Sequence, residues 1–152
     1  MKYLEVPICT ETNAIFQSLD ELDLHLEVFS CKYSKKQKKL QDYKSYTQHF
    51  ANIMNENYES FQYIEDNLKM IDITNLKNEL FLIFLRKRVN NFQNHINLLF
   101  FTIKTLVDLK NSQIYQFIGD QHFKRFNCQN LYFFYNKKMK RVLVLKLEYD
   151  IS

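Results

Sequence analysis

The chain has 152 residues, 46% of them hydrophobic and 25% charged, with a net charge of +4. That length and balance suit one domain with a true core and exclude wholesale disorder. A single glycine (Gly119) and a single proline (Pro7) argue against phosphate-cradling loops and nucleophile elbows, which need glycine for positive φ.

Phe, Tyr, Met, Ile, Asn and Lys make up nearly half the chain, whereas Gly, Ala, Pro and Arg supply eight residues. That split follows codon composition and suggests an AT-rich genome, such as that of a virus, mobile element or protist. The three cysteines (Cys9, Cys31, Cys128) lack paired spacing, the N-terminus has no apolar leader, and the most apolar run (96–107) is too short to span a membrane. A soluble intracellular protein is expected. Residues 1–31 hold one lysine against six carboxylates, so the remainder is strongly basic. Either the acidic arm lies on basic neighbours or a basic face meets an anionic partner.

In chain order, residues 2–8 read as a short strand stopped by Pro7. A 3-4 spacing of apolar residues then runs from Leu19 through Leu22, Leu26, Phe29, Tyr33, Leu40, Tyr43, Phe50, Met54, Phe61, Ile64 and Leu68 to Ile71. It predicts a long amphipathic helix packed on another. Residues 22–28 also alternate as a strand does, and the continuing heptad phase favours helix there. Asp72 or Thr74 can cap a second helix from about 75 to 117, with a stripe of Leu82, Leu85, Val89, Phe92, Ile96, Leu99, Ile103 and Leu106. Beyond Gly119, residues 131–135 and 142–149 read as strands of a hairpin around the basic loop 136–141. The expected fold is one helix-dominated α+β domain over 1–152: two long antiparallel helices (about 10–118), a C-terminal hairpin (about 130–150), and the N-terminal strand as its third member.

Two long aromatic stripes in a thin chain leave Phe81, Phe84, Phe100 and Phe101 in need of cover. The favoured function is therefore a non-enzymatic interaction or regulatory subunit acting on a protein partner or a second copy through these aromatic helical faces. Arg88 and His95 stand seven apart, two turns along the second helix, so they share a face. This R-x6-H pattern resembles the motif of the HEPN ribonuclease superfamily, in which the position after the arginine, here Val89, is usually polar. The resemblance implies a dimerising helical bundle that cleaves RNA without metal, with His95 as acid/base and Arg88 on phosphate. A third reading is RNA or DNA binding through the Lys32–Lys44 patch (Lys35, Lys36, Lys38, Lys39) and a second patch of Lys137, Lys138, Lys140 and Arg141. The spacing of His25, His49, His95, His122 and the cysteines nominates no metal site, and no cofactor or small-molecule substrate is inferred.

Overall fold

The computed structural model describes residues 2–32, 50, 68–118 and 129–150. Strands β1 (Lys2–Leu4), β2 (Asp23–Ser30), β3 (Leu68–Ile71), β4 (Gln113–Phe117), β5 (Gln129–Asn136) and β6 (Arg141–Glu148) form one antiparallel sheet in the order β1-β2-β6-β5-β4-β3. Among the described residues, helices α1 (Pro7–Gln17), α2 (Ile73–Arg86) and α3 (Phe92–Val107) pack on it, with a 3₁₀ turn at Leu109–Asn111.

This corrects the expectation of a mainly helical domain built on two long antiparallel helices; there is no helical bundle or coiled coil among the described residues. Residues 23–30 are strand, not helix. Leu24, Leu26 and Val28 enter one core, while Phe29 enters the core on the other face. Both faces of the sheet are covered, so apolar residues three apart satisfy opposite sides and mimic a heptad. The hairpin does form, from Asn136↔Arg141 to Gln129↔Glu148, but at the centre of a wide sheet. β1 adds to β2 rather than to the hairpin, and Pro7 opens α1 at its first position, where its missing N–H costs nothing.

The long second helix is broken at residues 87–91. Asp72 caps α2 by accepting from the Asn75 N–H at 2.7 Å. The helix ends without glycine: Arg88 takes φ 56°, its N–H donates to Leu85 O, and Val89 N–H donates to Phe84 O. That is a Schellman closure, with buried Val89 against buried Phe84 as its apolar contact. Asn91 and Asp108 likewise take positive φ at the two ends of α3, and Lys140 does so in the β5–β6 turn. Four side-chain-bearing residues therefore do the work of absent glycines, at roughly 1–2 kcal/mol each.

One core lies between the sheet and the three helices. Leu24, Leu26, Val28, Tyr132, Phe134, Leu143, Leu145 and Leu147 meet Phe16, Leu76, Leu80, Phe84, Leu99 and Ile103 there. On the opposite face Phe50 stacks on Phe133 with centroids 4.5 Å apart and planes 9° apart, beside Tyr115 and Tyr135. β1 is short and pairs only with Val28–Ser30, so among the described residues no strand pairs with that side of β2 from Leu26 back to Asp23. Asn13 of α1 fills part of it: its Oδ1 accepts from Leu26 N–H and its Nδ2 donates to Leu26 O, both at 2.8 Å. One side-chain amide thus replaces the missing strand's peptide group. α1 and α3 approach closely enough for Thr12 and Thr102 hydroxyls to meet at 2.7 Å. Because Thr102 donates to Leu98 O, Thr12 supplies that proton.

Candidate interaction surface

α2 buries Leu76, Leu80, Ile83 and Phe84, leaving Phe81, Leu82 and Leu85 on the opposite arc at 38%, 54% and 50% exposure. A 14-residue helix on a sheet with this pattern is apolar on both sides. α3 buries Ile96, Leu99, Ile103 and Leu106 and points Phe101 outward at 61% exposure. Between the helices runs a groove of about 340 Å³ lined by Lys77, Asn78, Phe81, Gln93, Ile96, Asn97 and Phe100. Phe81 meets Phe92 edge-to-face at 5.2 Å, and Lys77 Nζ lies 5.4 Å from the Phe100 ring. Beyond Phe92 the surface opens into a wider hollow of about 600 Å³ at the α2–α3 turn, bordered by Leu85, Arg88 and Val89. Lys77 in the groove and Arg88 at the hollow are both exposed, as is Arg86 on α2.

Of the four aromatics expected to need cover, Phe81 and Phe101 are exposed and Phe100 is half-buried. Phe84 is fully buried, edge-to-face with Phe16, and belongs to the core. Leu82 and Leu85 belong to the stripe expected along one long second helix, yet both are exposed. The stripe holds its phase from Ile96 to Leu106 but loses it across the break at 87–91, so upstream residues turn outward.

Arg88 and His95 do not share a helix. Arg88 closes α2, while His95 sits in the first turn of α3 with its ring 5.7 Å from Phe16 and Nδ1 3.1 Å from Asn91 O. Burial pushes the Cys9 thiol up to about 11 and the Cys31 thiol to about 12, so both stay protonated and unreactive at neutral pH. Beside α2 lies a polar hub. Glu79 Oε1 accepts from Gln116 Nε2 at 2.9 Å and Asn130 Nδ2 at 3.0 Å, and Tyr149 OH donates to Asn130 Oδ1 at 2.8 Å. Desolvation, with the Glu79 charge, raises the Tyr132 phenol far above its ordinary range. The hub is internally satisfied and pins α2 to β4 and β5. No group of three or more His, Cys, Asp or Glu side chains among the described residues could hold a metal. No helix among the described residues is long and apolar enough to cross a membrane.

The β5–β6 turn presents Lys137, Lys138 and Lys140 to solvent. Arg141 is engaged instead: its guanidinium donates to Leu106 O at 3.0 Å, and Asn136 Nδ2 donates to Val107 O at 2.7 Å. Together they satisfy the terminal carbonyls of α3. Lys35, Lys36, Lys38, Lys39, His49, Gly119, His122 and Cys128 lie outside the described residues.

No protein-family model matches the chain, and no curated protein matches it. Solved structures do. A crystal structure of citrus MAF1 in space group P 31 2 1 superposes with TM-score 0.73 at 15% identity, covering 95% of this chain and 99% of that one. It shares the fold of citrus MAF1. A second citrus MAF1 crystal form, C 2 2 21, gives TM-score 0.70 at 16% identity, over 91% of this chain and 96% of that one. The likeness extends over nearly the whole chain, and it is that of an α+β fold with a wide antiparallel sheet. At this identity it speaks for fold alone.

Proposed function

We propose that this protein is a non-enzymatic interaction subunit that takes an acidic amphipathic helix of a partner protein onto its α2–α3 face. The observation that carries this is the doubly apolar α2: Phe81, Leu82 and Leu85 stand exposed on it, Phe81 in the groove beside Lys77 and Leu85 at the hollow beside Arg88. The anchors recur at helical spacing, as in helix-in-groove recognition, and Lys77, Arg86 and Arg88 select carboxylates on the incoming segment. A second copy fits less well. An isologous dimer on this face would gather Lys77, Arg86 and Arg88 of both copies in one interface. The exposed apolar residues also form a patch of a few hundred Å², nearer a peptide footprint than the roughly 800 Å² per side of a stable interface.

The test is fluorescence anisotropy with a labelled helical peptide carrying Leu at i, i+4 and i+7 and Glu on its outer face. Leu82→Ser with Leu85→Ser should weaken binding at least tenfold while the urea midpoint stays put, because both side chains are exposed. Equal binding of a Lys-for-Glu version of the peptide, or no saturation, refutes the reading.

A further inference from the structure

The segregation of charge along the chain becomes a segregation in space, and it is independent of the α2–α3 face. Where β2 begins and β6 ends, Asp23 pairs with Glu148. Asp20, Glu21 and Asp150 adjoin them in sequence, and Lys87, Lys146, Arg86 and Arg88 mix with them, so that end of the molecule carries both signs. Lys146 is bonded to Glu148 at 2.7 Å, and Lys87 donates to the Asp150 carbonyl. The other end, some 24 Å away along eight-residue strands, differs.

There the β5–β6 turn carries Lys137, Lys138 and Lys140, all exposed. The Cys31 N–H donates to Lys140 O at 2.7 Å, which sets exposed Lys32 beside the turn. Lys2 pairs with Ser30 in the next strand, placing a further ammonium on the same edge. Asn136 and Arg141 hold the C-terminus of α3 against the turn, which brings in exposed Lys104 and Lys110. Seven lysines from five separate segments therefore converge on one end of the fold, and none makes an ion pair with a described residue. The acid closest to them in the chain, Asp108, accepts from Asn111 Nδ2 at 2.6 Å. Glu27 faces His25 at 3.2 Å, and Glu5 and Glu11 lie on the β1–α1 flank.

We propose that this lysine-lined end binds the phosphate backbone of a nucleic acid without reading its sequence. Lysine is a point charge with no fork for base edges or carboxylates, and the one arginine here is committed to Leu106 O. From β1 to β5 the lysines span three strand spacings, about 14 Å, enough for several successive phosphates. Without the apolar anchors of the α2–α3 face, an acidic protein segment would gain little from isolated exposed pairs alone, whereas a polyphosphate gains from counterion release at every contact. The acidic stretch of residues 1–31 does not neutralise this end, because Asp20, Glu21 and Asp23 lie at the opposite one.

The experiment is anisotropy of a labelled 20-nucleotide single-stranded RNA, titrated with the full chain at about 50 to 200 mM salt. Wild-type affinity should fall steeply with salt and stay the same for a scrambled sequence. Lys137→Gln, Lys138→Gln and Lys140→Asn combined should weaken binding at least tenfold at the lowest salt. It should also flatten the log–log salt slope by about 2, at about 0.7 per lost contact. Asparagine is chosen because it tolerates the positive φ at Lys140. Arg86→Gln with Arg88→Asn, at the other end, should leave the slope unchanged. Absence of saturable binding, an unchanged slope in the triple variant, or displacement of the RNA by polyglutamate charge for charge would each overturn the proposal.

Discussion

Removing the Asn13 amide tests the idea that one side chain substitutes for a missing strand. Asn13→Ala leaves the Leu26 N–H without its 2.8 Å acceptor in a site where Asn13 is 7% exposed and Leu26 fully buried. Leu26 O keeps the Cys9 thiol at 3.3 Å, so the loss is mainly one stranded donor plus the lost packing, about 2–3 kcal/mol. For a chain of this size that is a fall in Tm of roughly 5–10 °C. Asn13→Asp makes a sharper case. The new carboxylate still accepts from Leu26 N–H but opposes the Leu26 carbonyl oxygen where the amide had donated. Its protonated form is favoured in the fold, so the folded-state pKa lies above the ordinary carboxylate value. The variant should then be least stable at neutral pH and regain stability as pH falls toward about 4. Urea denaturation of the three proteins between pH 4 and 8 reads both effects. A loss under about 0.5 kcal/mol for Asn13→Ala, or an Asn13→Asp profile parallel to wild type, would show that the edge of β2 does not depend on this amide.

Arg88→Gly should stabilise the protein by about 0.5–1 kcal/mol, the left-handed strain relieved less the entropy of glycine, and a lower urea midpoint would contradict the Schellman assignment. Glu79→Ala, which strands the Gln116 and Asn130 amides, should cost about 1–3 kcal/mol by the same assay; a neutral outcome would mean the hub does not tie α2 to the sheet. Alkaline stability should decline from about pH 9, because the thiols of Cys9 and Cys31 are raised to about 11 and about 12 in the fold. Unfolding frees these acids to ionise, so stability present below their unfolded pKa is lost as pH rises toward the folded values. Cys9→Ser and Cys31→Ser together should flatten that decline, and an unaltered slope would argue against it.

What the chain disclosed about its fold depended on whether the local signal was unique. The 131–135 and 142–149 runs are dense in strand formers and flank a polar turn, so the hairpin was legible, as was the Asp72 cap. Residues 22–28 satisfy two periods at once, and the heptad phase continuing into residues 40–71 favours helix, whereas in the strand that forms Phe29 serves the face opposite Leu24, Leu26 and Val28. The break at 87–91 was invisible for a different reason. Glycine and proline are the strongest sequence marks of a helix end, yet here Arg88, Asn91 and Asp108 adopt positive φ themselves. Missing that break joined two helices into one, put Leu82 and Leu85 on a buried seam, and aligned Arg88 with His95 on a face they do not share. Phe81, Phe84, Phe100 and Phe101 stand out in the sequence as aromatics in need of cover, and the fold leaves Phe81 and Phe101 exposed while burying Phe84. Lys2, Lys104 and Lys110 had no sequence signal, because only the sheet order and the capping of α3 bring them beside the hairpin turn.

The central functional claim is the docking of an acidic amphipathic helix on the α2–α3 face, and amide and methyl chemical-shift mapping with the Leu/Glu peptide tests it most directly. Shifts confined to Phe81, Leu82, Leu85, Phe92 and their neighbours along α2 and α3 are predicted. Shifts centred on Lys137–Lys140, or none at saturating peptide, would contradict it.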